Sequence, residues 1–348
     1  MHALSTQERT AVLKANYEAL AAAEPKLRAR DRAARLQVSE AELIAAQCGA
    51  EAVALTGTPQ EIFIQLQNFG EVMVLSRNDW CVHERHGRYE EIHANGPVGM
   101  VLGKDIDLRM FFSYWKHAFA VNENGRRSVQ FFDGAGEAVH KVYLTEKSDA
   151  AGYDACVRQL AAAEIPAMHI EAYPTDTSRG DCQDNAALRE HWLSLTDTHG
   201  FFPMLGKHKV TRLAALKAAG DDLAQRVAID ATEIMLHRAA AEQLPIMCFV
   251  SNRGMVQIHS GPVEKLLRTG PWFNILDPMF NLHLNTTAIS ECWVVNKPTS
   301  DGWVTSLEVY TDGGELIVQF FGVRKPGVPE LPEWRKLMCD LCSTPLAG

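Results

Sequence analysis

Alternating apolar and polar residues mark the most regular stretches of the chain. Ser128-Val129-Gln130-Phe131-Phe132, the turn Asp133-Gly134-Ala135-Gly136 and residues 137–144 read as strand, Gly-rich turn, strand. Residues 305–310, Asp312-Gly313-Gly314 and residues 315–321 repeat that pattern. IMCFVSNRGMVQIHSG predicts a further strand–turn–strand. Short connections of this kind favour antiparallel pairing over parallel crossovers. Helical composition precedes each sheet. Residues 6–47 are rich in Ala, Leu, Glu and Arg, with Ser39 and Glu42 spaced as a capping box. A second helical block is expected over 185–207, followed by VTRLAALKAAG and DDLAQRVAIDATEIMLHRAAAE. Val38-Ser39 and Val210-Thr211 open similar short helices.

Self-comparison organises these elements. Met73 falls opposite Met247, Gly96-Pro97 opposite Gly270-Pro271 and Leu108 opposite Leu282, all at an offset of 174 residues. Trp115 meets Trp293, and VQFFDGAGEAVHKVYL meets LEVYTDGGELIVQFFG, at an offset of 178. The second copy is therefore expected to carry four extra residues between these two blocks. The polar, Pro- and Gly-containing stretch 171–184 reads as a linker. The fold class is α+β: a tandem duplication with repeats at 1–170 and 185–348, each an antiparallel sheet with accompanying helices.

Composition narrows the function. Of 348 residues, 47% are hydrophobic and 22% charged, as in a globular protein. A formal charge of −9 disfavours general nucleic-acid binding, which needs cations to replace counterions. Without a run of 18 apolar residues, membrane insertion is not expected. No signal peptide is expected at the N-terminus, so the reading is cytoplasmic, with reduced cysteines. Cys339 and Cys342 form one C-x-x-C, read as two incidental thiols on a terminal helix. Ser343 follows them where a covalent c-type haem site needs His. Phosphate-loop, dinucleotide-binding, zinc-protease and nucleophile-elbow motifs do not occur.

Candidate chemistry centres on His199. In LREHWLSLTDTHGFFPML, helical spacing puts Trp192, Leu195, His199 and Phe202 on one face. Such a histidine is either a satisfied core residue or an imidazole offered to a metal from an apolar wall, as haem requires. Arg212, Lys297, Arg324 and Lys325 are either solvated charges or partners for the two carboxylates of a porphyrin or another dianion. Arg109 lies among Ile106, Leu108, Met110, Phe111 and Phe112, so it needs an anionic or polar partner. His283 occupies its place in the second copy.

RARDRAARLQVSEAELIAA, IDLRMFFSYWKHAFAV, TDTHGFFPML, LPIMCFVSNRGMVQIHSGPV, RTGPWFNILDPMFNLHL and GELIVQFFGVRKPGVPEL together resemble the cytoplasmic hemin-degrading factor family, or hemin transport proteins of the HemS type. The resemblance spans about residues 27–335. It implies haem b, bound without a covalent link in a cleft between the repeats. It also implies a role in haem uptake and iron acquisition, with an importer, a reductant or a downstream haem acceptor as partners. On its motifs His199 matches the proximal iron ligand and Arg109 the distal arginine, with Phe111 nearby. Arg212, Lys297, Gln319 and Arg324 match pocket residues. Phe321 departs from the tyrosine that relatives often carry, which removes a hydroxyl. Two activities are compatible with the resemblance: haem degradation that releases iron with an external reductant, and non-catalytic haem carriage. A duplicate that has lost its ligand is the third possibility, disfavoured by the presence of His199 and Arg109.

Overall fold

The computed structural model describes residues 6–164, 168–325 and 327–348. They form two compact units. The first comprises Met1–Arg77, Glu84–Tyr173 and Asn252–Gln257; the second comprises Asn78–His83, Pro174–Ser251 and Ile258–Gly348.

The first copy begins with helices α1 (Thr6–Ala23), α2 (Ala29–Leu36) and α3 (Glu40–Ala45), then strand β1 (Ala52–Ala54) and helix α4 (Pro59–Ile64). Strands β2 (Gly70–Arg77), β3 (Cys81–Gly87), β4 (Ile92–His93), β5 (Val98–Leu102), β6 (Asp107–Phe111), β7 (His117–Glu123), β8 (Arg126–Phe132) and β9 (Ala138–Ser148) follow, then helix α5 (Ala150–Leu160). The Ser39–Glu42 capping box forms as expected and starts α3. Thr58 and Glu61 build another ahead of α4, where Pro59 supplies a preset φ.

The second copy has helices α6 (Asn185–Leu193), α7 (Phe201–Lys207) and α8 (Arg212–Ala219), strand β10 (Ala224–Val227) and helix α9 (Ala231–Ala241). Strands β11 (Ile246–Ser251), β12 (Met255–Gly261), β13 (Leu266–Thr269), β14 (Trp272–Leu276), β15 (Phe280–Asn285), β16 (Glu291–Thr299), β17 (Gly302–Tyr310) and β18 (Leu316–Gly322) lead to helix α10 (Pro332–Leu341). Thr211 caps α8 by accepting from the Ala214 N–H.

The strands make two nine-stranded antiparallel sheets. The first copy supplies the run β1-β7-β8-β9-β2-β3 and the meander β6-β5-β4. The second supplies β10-β16-β17-β18-β11-β12 and β15-β14-β13, the same order step for step. The two turns predicted from DGAG and DGG are built alike. Asp133 Oδ1 accepts from the Ala135 and Glu137 N–H groups, at 2.9 and 3.0 Å, and Gly136 takes φ 76°. Thr311 Oγ1 accepts from Glu315 N–H at 3.1 Å, and Gly314 takes φ 79°.

Three expectations need correction. The helical block over 185–207 is broken: α6 ends at Leu193, a 3₁₀ turn spans Thr198–Gly200, and α7 starts at Phe201. The run Ser194-Leu195-Thr196-Asp197-Thr198 favours side-chain bonds to the backbone over helix continuation, and Asp197 begins the new turn. DDLAQRV contributes a strand, β10, not a helix. The four extra residues also lie later than the Trp115–Trp293 match implies. Both the 3₁₀ turns at Phe112–Tyr114 and Thr286–Ala288 and the starts of β7 and β16 keep the 174 offset. The hairpin of the second copy is longer by two residues on each strand, pairing Thr299 with Gly302 where the first pairs Glu123 with Arg126. Trp115 and Trp293 are thus not equivalent; two tryptophans near the same boundary imitate a register that strand pairing excludes.

Each unit has its own core. Phe63, Phe69, Phe112, Trp115 and Phe131 pack in the first. In the second, Phe273, Phe280, Phe320 and Trp334 form one cluster, and Trp192, Phe201, Trp293 and Tyr310 form another. Trp334 on α10 is fully buried, donates to Thr305 O at 3.1 Å and lies over Gly322. A Cβ on Gly322 would sit 2.6 Å from Trp334 Cγ. Gly322→Ala is expected to lower stability by about 1–3 kcal/mol through overpacking. Urea unfolding should show a lower midpoint with an unchanged slope; an unchanged midpoint would mean that α10 does not pack tightly here.

Candidate functional site

His199 occupies the 3₁₀ turn rather than a helix face. Asp197 Oδ1 accepts from the His199 backbone N–H at 2.7 Å and lies 2.6 Å from its ring Nδ1. These two contacts hold the Asp197 carboxyl below its usual range. An ionised carboxylate only accepts, so the network assigns the proton to Nδ1 and leaves the lone pair on Nε2. The His199 side chain is 93% exposed. It is therefore not a core histidine, nor does it lie on an apolar helix wall with Trp192 and Leu195. Ser300 N–H, at the tip of the β16–β17 hairpin, donates to Thr196 O at 2.9 Å and ties down the chain just before the turn. That tip carries the extra residues of the second copy.

Phe201 follows two residues later and is buried. Lys297 Nζ lies 4.4 Å from its ring centroid, and the Arg212 guanidinium carbon lies 5.0 Å from it. Behind them is Glu308, which is fully buried. Arg212 donates to both carboxylate oxygens of Glu308, at 2.7 and 2.6 Å, and Lys297 donates to Oε1 at 3.1 Å. Ser306 Oγ, Tyr310 O–H and Gln319 Nε2 complete the shell at 3.1, 2.6 and 3.0 Å. Burial alone would raise the Glu308 pKa, but Arg212 and Lys297 outweigh it and hold the carboxyl well below the usual range. Burial pulls the Lys297 ammonium down to about 8, with Glu308 opposing. Two cations and one carboxylate leave this cluster with one net positive charge while Lys297 is protonated.

The structure brings Arg212, Lys297 and Gln319 together on Glu308. Arg324 stands apart from Glu308, 3.4 Å from Asp301 on the hairpin tip, and it also lowers the pKa of Asp197 through its charge. Arg324 Nε is buried without a partner among the described residues. Phe321 shares a strand face with Gln319 by spacing, and its ring packs edge-on against Phe249 at 5.1 Å. Arg109 and Phe111 lie on β6 of the first unit. The Arg109 side chain is 33% exposed, pairs with Asp107 and donates to Leu108 O at 3.0 Å. Phe111 donates its backbone N–H to Gly254 O at 2.9 Å.

Sequence reasoning missed Asp107, Asp197, Glu308 and Tyr310. Asp197 was signalled by T-D-T-H, an acidic residue at capping distance from the histidine. Glu308 was signalled by parity: Ser306, Glu308 and Tyr310 alternate along one strand whose other face is Leu307 and Val309.

The first copy holds the equivalent positions with different charges. Ser128, Gln130 and Phe132 stand where Ser306, Glu308 and Tyr310 stand, and Gln130 pairs across the strands with Lys141 as Glu308 does with Gln319. Glu40, the first residue of α3, replaces Arg212, the first of α8. Glu40 is buried and ion-paired with Lys141 and Arg77. No described residue there offers a counterpart to the exposed imidazole with its carboxylate.

The comparisons with known proteins agree with the duplicated fold. The haemin-degrading HemS/ChuX domain family matches residues 37–160 and again 209–341. Hemin transport protein HmuS of Yersinia pestis is 39% identical over 343 residues, covering 97% of this chain and 99% of the relative. The structure of apo-PhuS, a heme-binding protein from Pseudomonas aeruginosa, superposes with a TM-score of 0.91 at 47% identity, covering 95% of this chain and 99% of that one. ChuS, a heme degrading enzyme of Escherichia coli O157:H7, superposes with a TM-score of 0.91 at 36% identity, covering 96% and 99%. The chain belongs to the haemin-degrading HemS/ChuX family and carries its domain twice.

Proposed function

We propose that this protein binds haem b, without a covalent link, in haem uptake and iron acquisition, and that His199 of the second unit ligates the iron. The observation that carries this reading is the exposed His199 ring, whose Nε2 is left as an acceptor by the Asp197 carboxylate. The donor set fits the group. Haem is an apolar plate with two carboxylates, and an imidazole, the Phe201 ring and the cations Arg212 and Lys297 occur within this one unit. Arg324 is a third cation, with a buried Nε free to donate. Arg109 and Phe111 are assigned to the distal side on the IDLRMFF motif alone. Phe321 offers only an apolar contact.

The finer reading is degradation: haem is the substrate, its ring is opened with dioxygen and electrons from an external reductant, and iron is released. The similarity to ChuS supports it. The second reading is a carrier that takes haem from an importer and hands it to an acceptor. The similarity to HmuS and the open approach to His199 favour it. A cytoplasmic setting accords with eight cysteines that are all free. Aerobic and anaerobic incubation of the haem complex with a biological reductant, with catalase present, separates the two readings. A defined tetrapyrrole with released iron, identified by mass spectrometry, supports degradation; intact haem passed to an acceptor supports carriage.

Three outcomes are expected of variants. His199→Ala should change the Soret band and weaken haem binding; an unchanged spectrum and affinity would transfer the ligand role to another histidine, His191 or His208 first, which contact each other at 3.0 Å. Arg109→Ala should keep haem but lose about 1.5–3 kcal/mol of stabilisation of whatever accepts its hydrogen bond. The ferric spectrum and any degradation rate should then change more than affinity, and the reverse pattern would make Arg109 a binding residue. The third outcome concerns pH. Lys297 is charged below about 8 and loses its proton as pH rises through that value, well before an unfolded lysine would. Haem affinity should therefore fall between about pH 7 and 9, and less steeply in Lys297→Met. Equal slopes in titrations of both proteins would contradict a propionate role for Lys297.

A further inference from the structure

We propose that Asp197 is a positioning residue for His199: its carboxylate fixes which ring nitrogen carries the proton, fixes the ring's orientation, and strengthens Nε2 as a donor to iron. The last part rests on His199 being the haem ligand; the first two do not. One oxygen, Oδ1, holds both the backbone N–H of His199 at 2.7 Å and its ring Nδ1 at 2.6 Å. A single atom thus pins the main chain and the side chain of the same residue, which leaves the imidazole little freedom to rotate. The turn beneath is closed by Gly200 N–H donating to Asp197 O at 3.1 Å, and Thr196 O is held by the hairpin tip. The backbone that carries the carboxylate is therefore anchored by the fold and not only by the histidine. An unconstrained neutral histidine prefers its proton on Nε2, which would block that nitrogen as a ligand. A carboxylate at Nδ1 reverses the preference and, by drawing on the N–H, makes the far nitrogen more basic. Asp197 could alternatively serve only as the cap of the turn. Capping is a property of the backbone bond and predicts no effect on the ring.

Two variants of Asp197 separate these roles, and its side chain is exposed enough for both to fold. Asp197→Asn keeps a capping oxygen but removes the charge; Asp197→Ala removes both. In haem-free protein, nitrogen-15 NMR of the neutral His199 ring, assigned by loss of its signals in His199→Gln, should find the proton on Nδ1 in the parent. It should find the proton mainly on Nε2 in Asp197→Ala. A parent ring protonated on Nε2, or the same tautomer in both proteins, overturns the proposal. With haem loaded and reduced, resonance Raman of the iron–histidine stretch should give a lower frequency in Asp197→Asn than in the parent, and the reduction potential should rise. Unchanged values would reduce Asp197 to a cap. If His199→Ala retains the parent Soret band, the ligand reading fails and the iron-tuning part fails with it. The tautomer measurement still decides whether Asp197 positions the ring.

Discussion

The cation cluster of the second unit depends on one buried carboxylate. Glu308 is withdrawn from water and would be untenable alone, since an unpaired buried charge costs several kcal/mol. Arg212, Lys297, Ser306, Tyr310 and Gln319 all donate to it, so its oxygens are satisfied from α8, β16, β17 and β18 at once. The dependence runs in both directions. Without Glu308 the buried Lys297 and the half-buried Arg212 would stand side by side against the Phe201 ring, repelling each other. With it they are held in place and still carry a surplus positive charge, which a dianionic ligand can use.

Duplication supplied the scaffold, and a small number of changes made the copies different. In the S-x-Q-x-F pattern of β8 and the S-x-E-x-Y pattern of β17, glutamine becomes glutamate and phenylalanine becomes tyrosine, while the strand pairing stays the same. At the first position of α3 and α8, Glu40 and Arg212 have opposite charge, so the sign of the buried group is reversed along with its partner. The longer β16–β17 hairpin adds the tip that holds Thr196 and presents Asp301 to Arg324. The charge cluster and the support for the His199 turn therefore both arise from features that the first copy lacks.

Local signals made much of this legible in the sequence. Turn chemistry announced the hairpins at Asp133–Gly136 and Thr311–Gly314, Ser39 and Glu42 announced α3, and the 174 offset announced the duplication. These depend on neighbours in the chain, and neighbours are visible there. The break between α6 and α7 was not read because composition over 185–207 is helical on average, whereas Asp197 acts as a single capping residue. The position of the four extra residues escaped because only strand pairing decides register. Arg212 and Lys297 stand out in the sequence as separate basic residues, and Gln319 only on a family motif. That they share a carboxylate could not be read, because Glu308 lies 96 residues from Arg212 along the chain and 11 from Lys297. Long-range ion pairs leave no local pattern.

Arg212 and Glu308 stabilise each other across the core of the cluster, Arg212 being the donor that reaches both carboxylate oxygens. A double-mutant cycle tests this most directly, using Glu308→Gln, Arg212→Met and the double variant, with unfolding free energies from urea titrations of the haem-free protein. Each single change should be destabilising, by up to about 3–5 kcal/mol, because it removes one side of a buried ion pair. The double change should cost clearly less than the two together, with a coupling of about 1–3 kcal/mol. Strictly additive losses, or a Glu308→Gln protein as stable as the parent, would contradict this mutual stabilisation.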